Sequence, residues 1–69
     1  MKIHPNPTHG KVTIDADNVV KVEVLDAVGR LVKTIERDNT VDLSSLGAGA
    51  YNLRITLTNG VTIRNVVKK

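Results

Sequence analysis

The chain has 69 residues, of which 41% are hydrophobic and 25% charged, which describes one small folded domain. That apolar share excludes a disordered chain, no apolar run approaches the roughly 18 residues of a membrane helix, and the N-terminal MKIHPNP has no apolar core of a secretory signal peptide. The formal charge of +3 is carried by Lys2, Lys11, Lys21, Lys33, Arg37 and Arg54, among others, interleaved with acids, and with one aromatic, Tyr51, there is no stacking platform for nucleic acid.

The chain contains no cysteine, so neither disulfides nor thiolate zinc sites hold it together. Its core has to be built from Val, Ile and Leu. Residues of period-2 alternation recur about every ten positions with turn residues between them, the pattern of an all-β sandwich. In chain order, Lys2 and Ile3 form an edge piece, Val12 and Ile14 flank Thr13, and Val20, Val22 and Val24 alternate with Lys21 and Glu23. Leu31 to Ile35 follow, then the short Val41 and Leu43. Next, Tyr51, Leu53, Ile55 and Leu57 share one face while Asn52, Arg54, Thr56 and Thr58 share the other. Val61 to Lys68 make the last strand. The expected core is Val12, Ile14, Val22, Val24, Val32, Leu43, Leu46, Tyr51, Leu53, Ile55, Leu57 and Ile63.

Two turns set register. Asp26-Ala27-Val28-Gly29-Arg30 suits a type I turn with glycine last and Asp26 facing Arg30. That hairpin puts Val20, Val22, Val24 and Val32 on one face, and leaves Leu25, Leu31 and Ile35 on the other beside Lys21, Glu23 and Lys33. An apolar second face implies that something covers it, and a homodimer is the expectation for the isolated domain. At the other hairpin, a two-residue Asn59-Gly60 loop would set Leu57 beside Thr62 and Ile55 beside Arg64. A three-residue loop, Thr58-Asn59-Gly60 with Gly60 in the left-handed region, pairs Leu57 with Val61, Ile55 with Ile63 and Tyr51 with Val67, and is the expected register.

Residues able to carry chemistry are present but unordered. His4 and His9, with Asp15 nearby, match the ligand spacing of no helix or strand face, so no metal or other cofactor is expected. Ser44, Ser45 and the histidines lack a supporting shell, so no enzyme activity is expected. The glycines fall in turns rather than in a strand-to-helix phosphate loop. Tyr51 opens the cleanest strand after a crossover, the position of a tyrosine corner, in which the hydroxyl bonds to backbone of the preceding loop; this points to an immunoglobulin-like or fibronectin-type sandwich of about seven short strands.

Taken in order, these motifs resemble one family over the full length: the C-terminal sorting domain of the type IX (Por) secretion system of Bacteroidetes. Pro5-Asn6-Pro7-Thr8-His9-Gly10 is similar to its P-x-P-x-x-G opening, and Lys11 to Ile14 to the strand after it. Val22 to Asp26 with Gly29-Arg30-Leu31-Val32 resembles its D-x-x-G-R hairpin, Leu46 with Gly49-Ala50-Tyr51 its L-x-x-G-x-Y motif, and Gly60 with Val66 to Lys69 its terminal motif. Ala50 stands where valine or isoleucine is common, and Gly47-Ala48 replaces a proline-containing turn. The resemblance implies a targeting module, residues 1–69 of a longer precursor, that follows an N-terminal cargo protein. The cargo would cross the periplasm and outer membrane to the cell surface or beyond, with an outer-membrane translocon reading the domain and a sortase cleaving it. Recognition candidates are Pro5, Pro7, Gly10, Gly29, Arg30, Gly49, Tyr51, Gly60, Arg64, Lys68 and Lys69. The alternative is a structural or adhesive accessory module of a surface enzyme, although carbohydrate binding usually uses exposed aromatics and Tyr51 is taken by the corner.

Overall fold

The computed structural model describes Met1–Lys69. It is all β: β1 (Ile3–His4), β2 (Lys11–Ile14), β3 (Val19–Leu25), β4 (Leu31–Glu36), β5 (Thr40–Asp42), β6 (Gly49–Leu57) and β7 (Gly60–Lys68). They form a three-stranded sheet ordered β1-β2-β5 and a four-stranded sheet ordered β4-β3-β6-β7, with every strand pair antiparallel. Each sheet alternates apolar and polar side chains, and the apolar faces meet in a sandwich. Val12, Ile14, Val41 and Leu43 from one side and Val22, Val24, Leu53, Ile55 and Val66 from the other are fully buried. Leu46, Tyr51 and Leu57 pack around them half-buried, with Ile3, Ala16, Val19 and Ile35.

The first hairpin forms as its side chains dictate. Gly29 N donates to Asp26 O at 3.0 Å, Gly29 takes φ +88°, and Asp26 N donates to Arg30 O at 2.9 Å. Leu25 pairs with Leu31 as expected, but the ladder then slips by one residue, setting Lys33 opposite Val24 and Ile35 opposite Val22. The bulge overturns the expected faces. Ile35 turns toward the core, Lys33 follows it and donates from Nζ across the rim to Asp42 O at 2.6 Å, and Val32 is left 39% exposed. The continuous apolar second face of Leu25, Leu31 and Ile35 therefore does not exist.

The β6–β7 register also departs from expectation. The loop is Thr58-Asn59, closed by Leu57 opposite Gly60, so Ile55 faces Thr62, Leu53 faces Arg64 and Tyr51 faces Val66. Gly60 adopts φ +154°, which L side chains rarely take, rather than the left-handed helical conformation. Asn18 holds this turn, accepting from Thr58 N at 3.1 Å and donating to Thr58 Oγ1 at 3.2 Å. Because β7 is an edge strand, it lies over the rim of the core, where Thr62 and Arg64 are tolerated and only Val66 has to be apolar. Val61, Ile63 and Val67 consequently point outward, Ile63 with 59% of its surface exposed. Ile63 is thus no core residue, and Val41 and Val66 are.

Candidate functional site

The sheet order gathers motifs that are distant in sequence at one end of the sandwich. β3 ends there at Leu25 opposite Asn52, β6 begins there with Gly49 opposite Lys68, and Lys11 of β2 lies opposite Asp42 of β5. The loops and ends at this pole are therefore Asn6–Gly10, Asp26–Arg30, Leu43–Gly49 and Val67–Lys69. Pro5, Pro7, Gly10, Gly29, Arg30, Gly49, Tyr51, Lys68 and Lys69 all lie at or next to it. Gly60 does not: its turn is at the opposite pole with Asn18 and Asn59, and Arg64 sits midway along β7.

Thr8 is the centre of the pole and is 1% exposed, the single buried polar residue. Its N donates to Val67 O and its O accepts from Lys69 N, both at 2.8 Å, so Thr8 runs parallel to the end of β7 as an added strand residue. Its hydroxyl donates to Lys11 O at 2.7 Å and accepts from Gly10 N at 3.1 Å, which closes the turn of the P-x-P-x-x-G segment. Asn6 extends the same edge by side chain alone, Oδ1 accepting from Val67 N and Nδ2 donating to Asn65 O, both at 3.0 Å. The bonds His4-Pro5 and Asn6-Pro7 are both cis. The proline motif thus straps the terminal strand. Sequence reading missed Thr8 because it fell between motif positions; a threonine two residues before a turn glycine was the available signal.

The loop before β6 is fixed by two long side chains. Tyr51 Oη donates to Gly47 O at 2.7 Å, the tyrosine corner, and Lys68 Nζ donates to Leu46 O at 2.8 Å. Beside it, Asp26–Arg30 and Ala48–Tyr51 border a shallow, partly apolar groove of about 240 Å³. Asp26 accepts from Arg30 N and Val28 N through Oδ1 and from Arg30 Nε through Oδ2 at 2.9 Å. The Arg30 backbone bond, followed by its guanidinium and the Val28 amide, holds the Asp26 carboxyl below its ordinary pKa. Asp42 is lowered likewise, first by the Ser44 hydroxyl and amide and then by Lys33 and Lys11. With Asp26 paired to Arg30 and Asp42 beside Lys33 and Lys11, Lys68 and Lys69 leave the pole basic.

At the other pole lie two adjoining shallow depressions that share Asp17 and Asn39, one with Asp38 and Arg37 and the other with Asp15 and His4. No three His, Asp or Glu side chains there or elsewhere converge closely enough to hold a metal ion. His4 ends β1 and His9 lies in the strap loop that follows, and Ser44 uses its amide to cap Asp42 Oδ1 at 2.9 Å. The outer face of the larger sheet is crossed by a polar ladder in which Arg54 donates to both Glu23 oxygens at 2.9 Å and Asn65 donates to Asn52 at 2.8 Å.

The motif residues of this β-sandwich converge on one strapped, basic pole. Residues 2–69 match the family model described as the secretion system C-terminal sorting domain, and the chain belongs to that family. It is a C-terminal sorting signal for type IX secretion, a targeting module that follows an N-terminal cargo and marks it for export across the outer membrane. No curated protein matches the chain.

Proposed function

We propose that residues 1–69 act as one recognition unit within a longer precursor, and that the outer-membrane translocon reads it at the motif pole. The observation that carries this reading is the convergence of the proline strap, the Asp26–Arg30 turn, the Gly47–Tyr51 corner and the end of β7 on one surface. Topology keeps that surface clear of cargo. β1 runs antiparallel to β2, with Ile3 opposite Ile14 and Lys2 O accepting from Asp15 N, so a preceding cargo joins at the acidic pole. The Cα principal extents are 31 × 22 × 16 Å, so the two poles lie far enough apart for a bulky receptor to approach one while the cargo hangs from the other.

In this reading Pro5, Pro7, Gly10, Gly29, Gly49, Tyr51 and the Asp26–Arg30 pair shape the surface, while Lys69 presents charge to the receptor; Gly60 and Arg64 lie outside the recognised surface. A sortase would cut on the acidic-pole side, between cargo and β1. Site-specific photocrosslinking in a type IX-competent cell tests the surface: a crosslinker at Lys69 or Arg30 captures an outer-membrane component, and one at Asn59 does not. Capture from Asn59 with none from Lys69 or Arg30 would invert the assignment.

A further inference from the structure

We propose that the Gly60–Arg64 half of β7 is a self-pairing edge, through which two copies of the domain join antiparallel about a two-fold axis beside Thr62. Every other edge is blocked. β4 carries the bulge opposite Leu25, the charges of Lys33 and Glu36, and a break at Arg37 with φ +53°. β1 and β5 have two and three residues, and the carbonyl of Asp42 in β5 already holds Lys33 Nζ. The last third of β7 is covered by Asn6 and Thr8. Proteins ordinarily blunt exposed edges with charge, proline, bulges or a covering segment; Val61-Thr62-Ile63 has no proline, bulge or covering segment, and the one charge beside it is Arg64, whose Nη1 donates to Thr62 Oγ1 at 3.1 Å and to Ile63 O at 3.4 Å.

The backbone groups are aimed for pairing. Asn65 O and the N and O of Val67 face the strap, the β6–β7 register runs without interruption, and so by alternation the N–H and C=O of Val61 and Ile63 face away from β6. No backbone partner exists for them within the chain, since β7 is the outermost strand of its sheet and the strap stops at Asn65; Ile63 O accepts only a long 3.4 Å bond from Arg64 Nη1, which pairing would have to displace.

The occupant is a second copy because the triplet is complementary to itself. Antiparallel pairing about Thr62 lets Val61 exchange both backbone bonds with Ile63 of the second copy, and the reverse, while Arg64 falls opposite Gly60. On the outer face, Val61, 61% exposed, and Ile63, 59% exposed, then lie side by side with their counterparts, as aliphatic cross-strand neighbours. Parallel in-register pairing would instead set Arg64 against Arg64, which like charges disfavour. Sliding the copies toward the C-terminus meets the Asn6–Thr8 strap, and sliding the other way runs past Gly60 into the turn. A three-residue edge buries less than the interfaces of stable complexes, so the pairing is transient and populated near millimolar concentration.

Amide NMR spectra of the 69-residue chain, recorded from dilute to millimolar concentration, test this. The expected result is slower tumbling with concentration, with shift changes centred on Val61, Thr62 and Ile63. Ile63→Lys puts like charges into the new sheet and should raise the midpoint concentration at least about tenfold. Ile63→Pro is a second variant, because its missing N–H is one that faces away from β6. A monomer throughout the range, shifts centred on β4, or Ile63→Lys associating like the parent chain would each overturn the proposal. Export plays no part in this readout, so its failure would leave the reading of the motif pole standing.

Discussion

Thr8→Val replaces a buried hydroxyl by a methyl of nearly the same shape, so packing is kept while two hydrogen bonds at the centre of the strap are removed. The hydroxyl donates to Lys11 O at 2.7 Å and accepts from Gly10 N at 3.1 Å, and the residue is 1% exposed. A net hydrogen bond contributes roughly 1 kcal/mol, and groups left without partners in a part-buried site cost about 1–3 kcal/mol, so the change should destabilise by about 2 kcal/mol. That is a large share of the ~3–10 kcal/mol expected of a chain this size, and corresponds to a melting point ~8–15 °C lower. Thr8→Ser separates the causes: it keeps the hydroxyl, loses one methyl, and should cost only ~1 kcal/mol. Urea and thermal unfolding read both variants, and exchange of the Lys69 amide, which bonds Thr8 O, reads the strap itself. A Thr8→Val domain within ~0.5 kcal/mol of the parent, or a Thr8→Ser domain weaker than Thr8→Val, would show that the hydroxyl does not hold the strap.

Ile55→Ala opens a cavity at a fully buried core position and should cost about 2–5 kcal/mol, read as a lower urea midpoint; a small effect would mean the core is not centred on Ile55. Tyr51→Phe removes only the bond to Gly47 O and should cost about 1 kcal/mol, with faster exchange confined to the Leu46–Ala50 loop. Glu23, held below its ordinary pKa of 4.5 first by its bond to Arg54, and Asp26 and Asp42, below their ordinary 3.8, bind protons less readily folded than unfolded. Stability should therefore be flat above the ordinary carboxylate range and fall as pH drops through and below it, and Glu23→Gln should flatten part of that fall in urea titrations across the acid range. A midpoint that rises on acidification would contradict the assignment.

The strands were legible because period-2 alternation of β-branched residues is a local signal, and so was the Asp26 hairpin, whose Asp, Gly and Arg make their bonds within five residues. Tyr51 was legible for the same reason, its partner Gly47 lying in the loop just before it. Registers were less so. Matching apolar residues across β6 and β7 assumes both strands cover the core, whereas β7 lies at the rim, so the Thr58-Asn59 turn and Asn18 set the register and leave Val61 and Ile63 outside. At β4 a bulge that no residue type announces exchanged Val32 for Ile35. The clustering of the motifs at one pole was invisible in sequence, since it depends on Thr8 and Asn6 bonding to residues about sixty positions away.

The central claim, that this domain carries an attached protein out of the cell, is tested most directly by fusing a periplasmic reporter ahead of Met1 in a bacterium with type IX machinery. The fused reporter should reach the cell surface or the medium, and the same reporter without the domain should stay in the periplasm. A folded, intact fusion retained in the periplasm of secretion-competent cells would contradict the account.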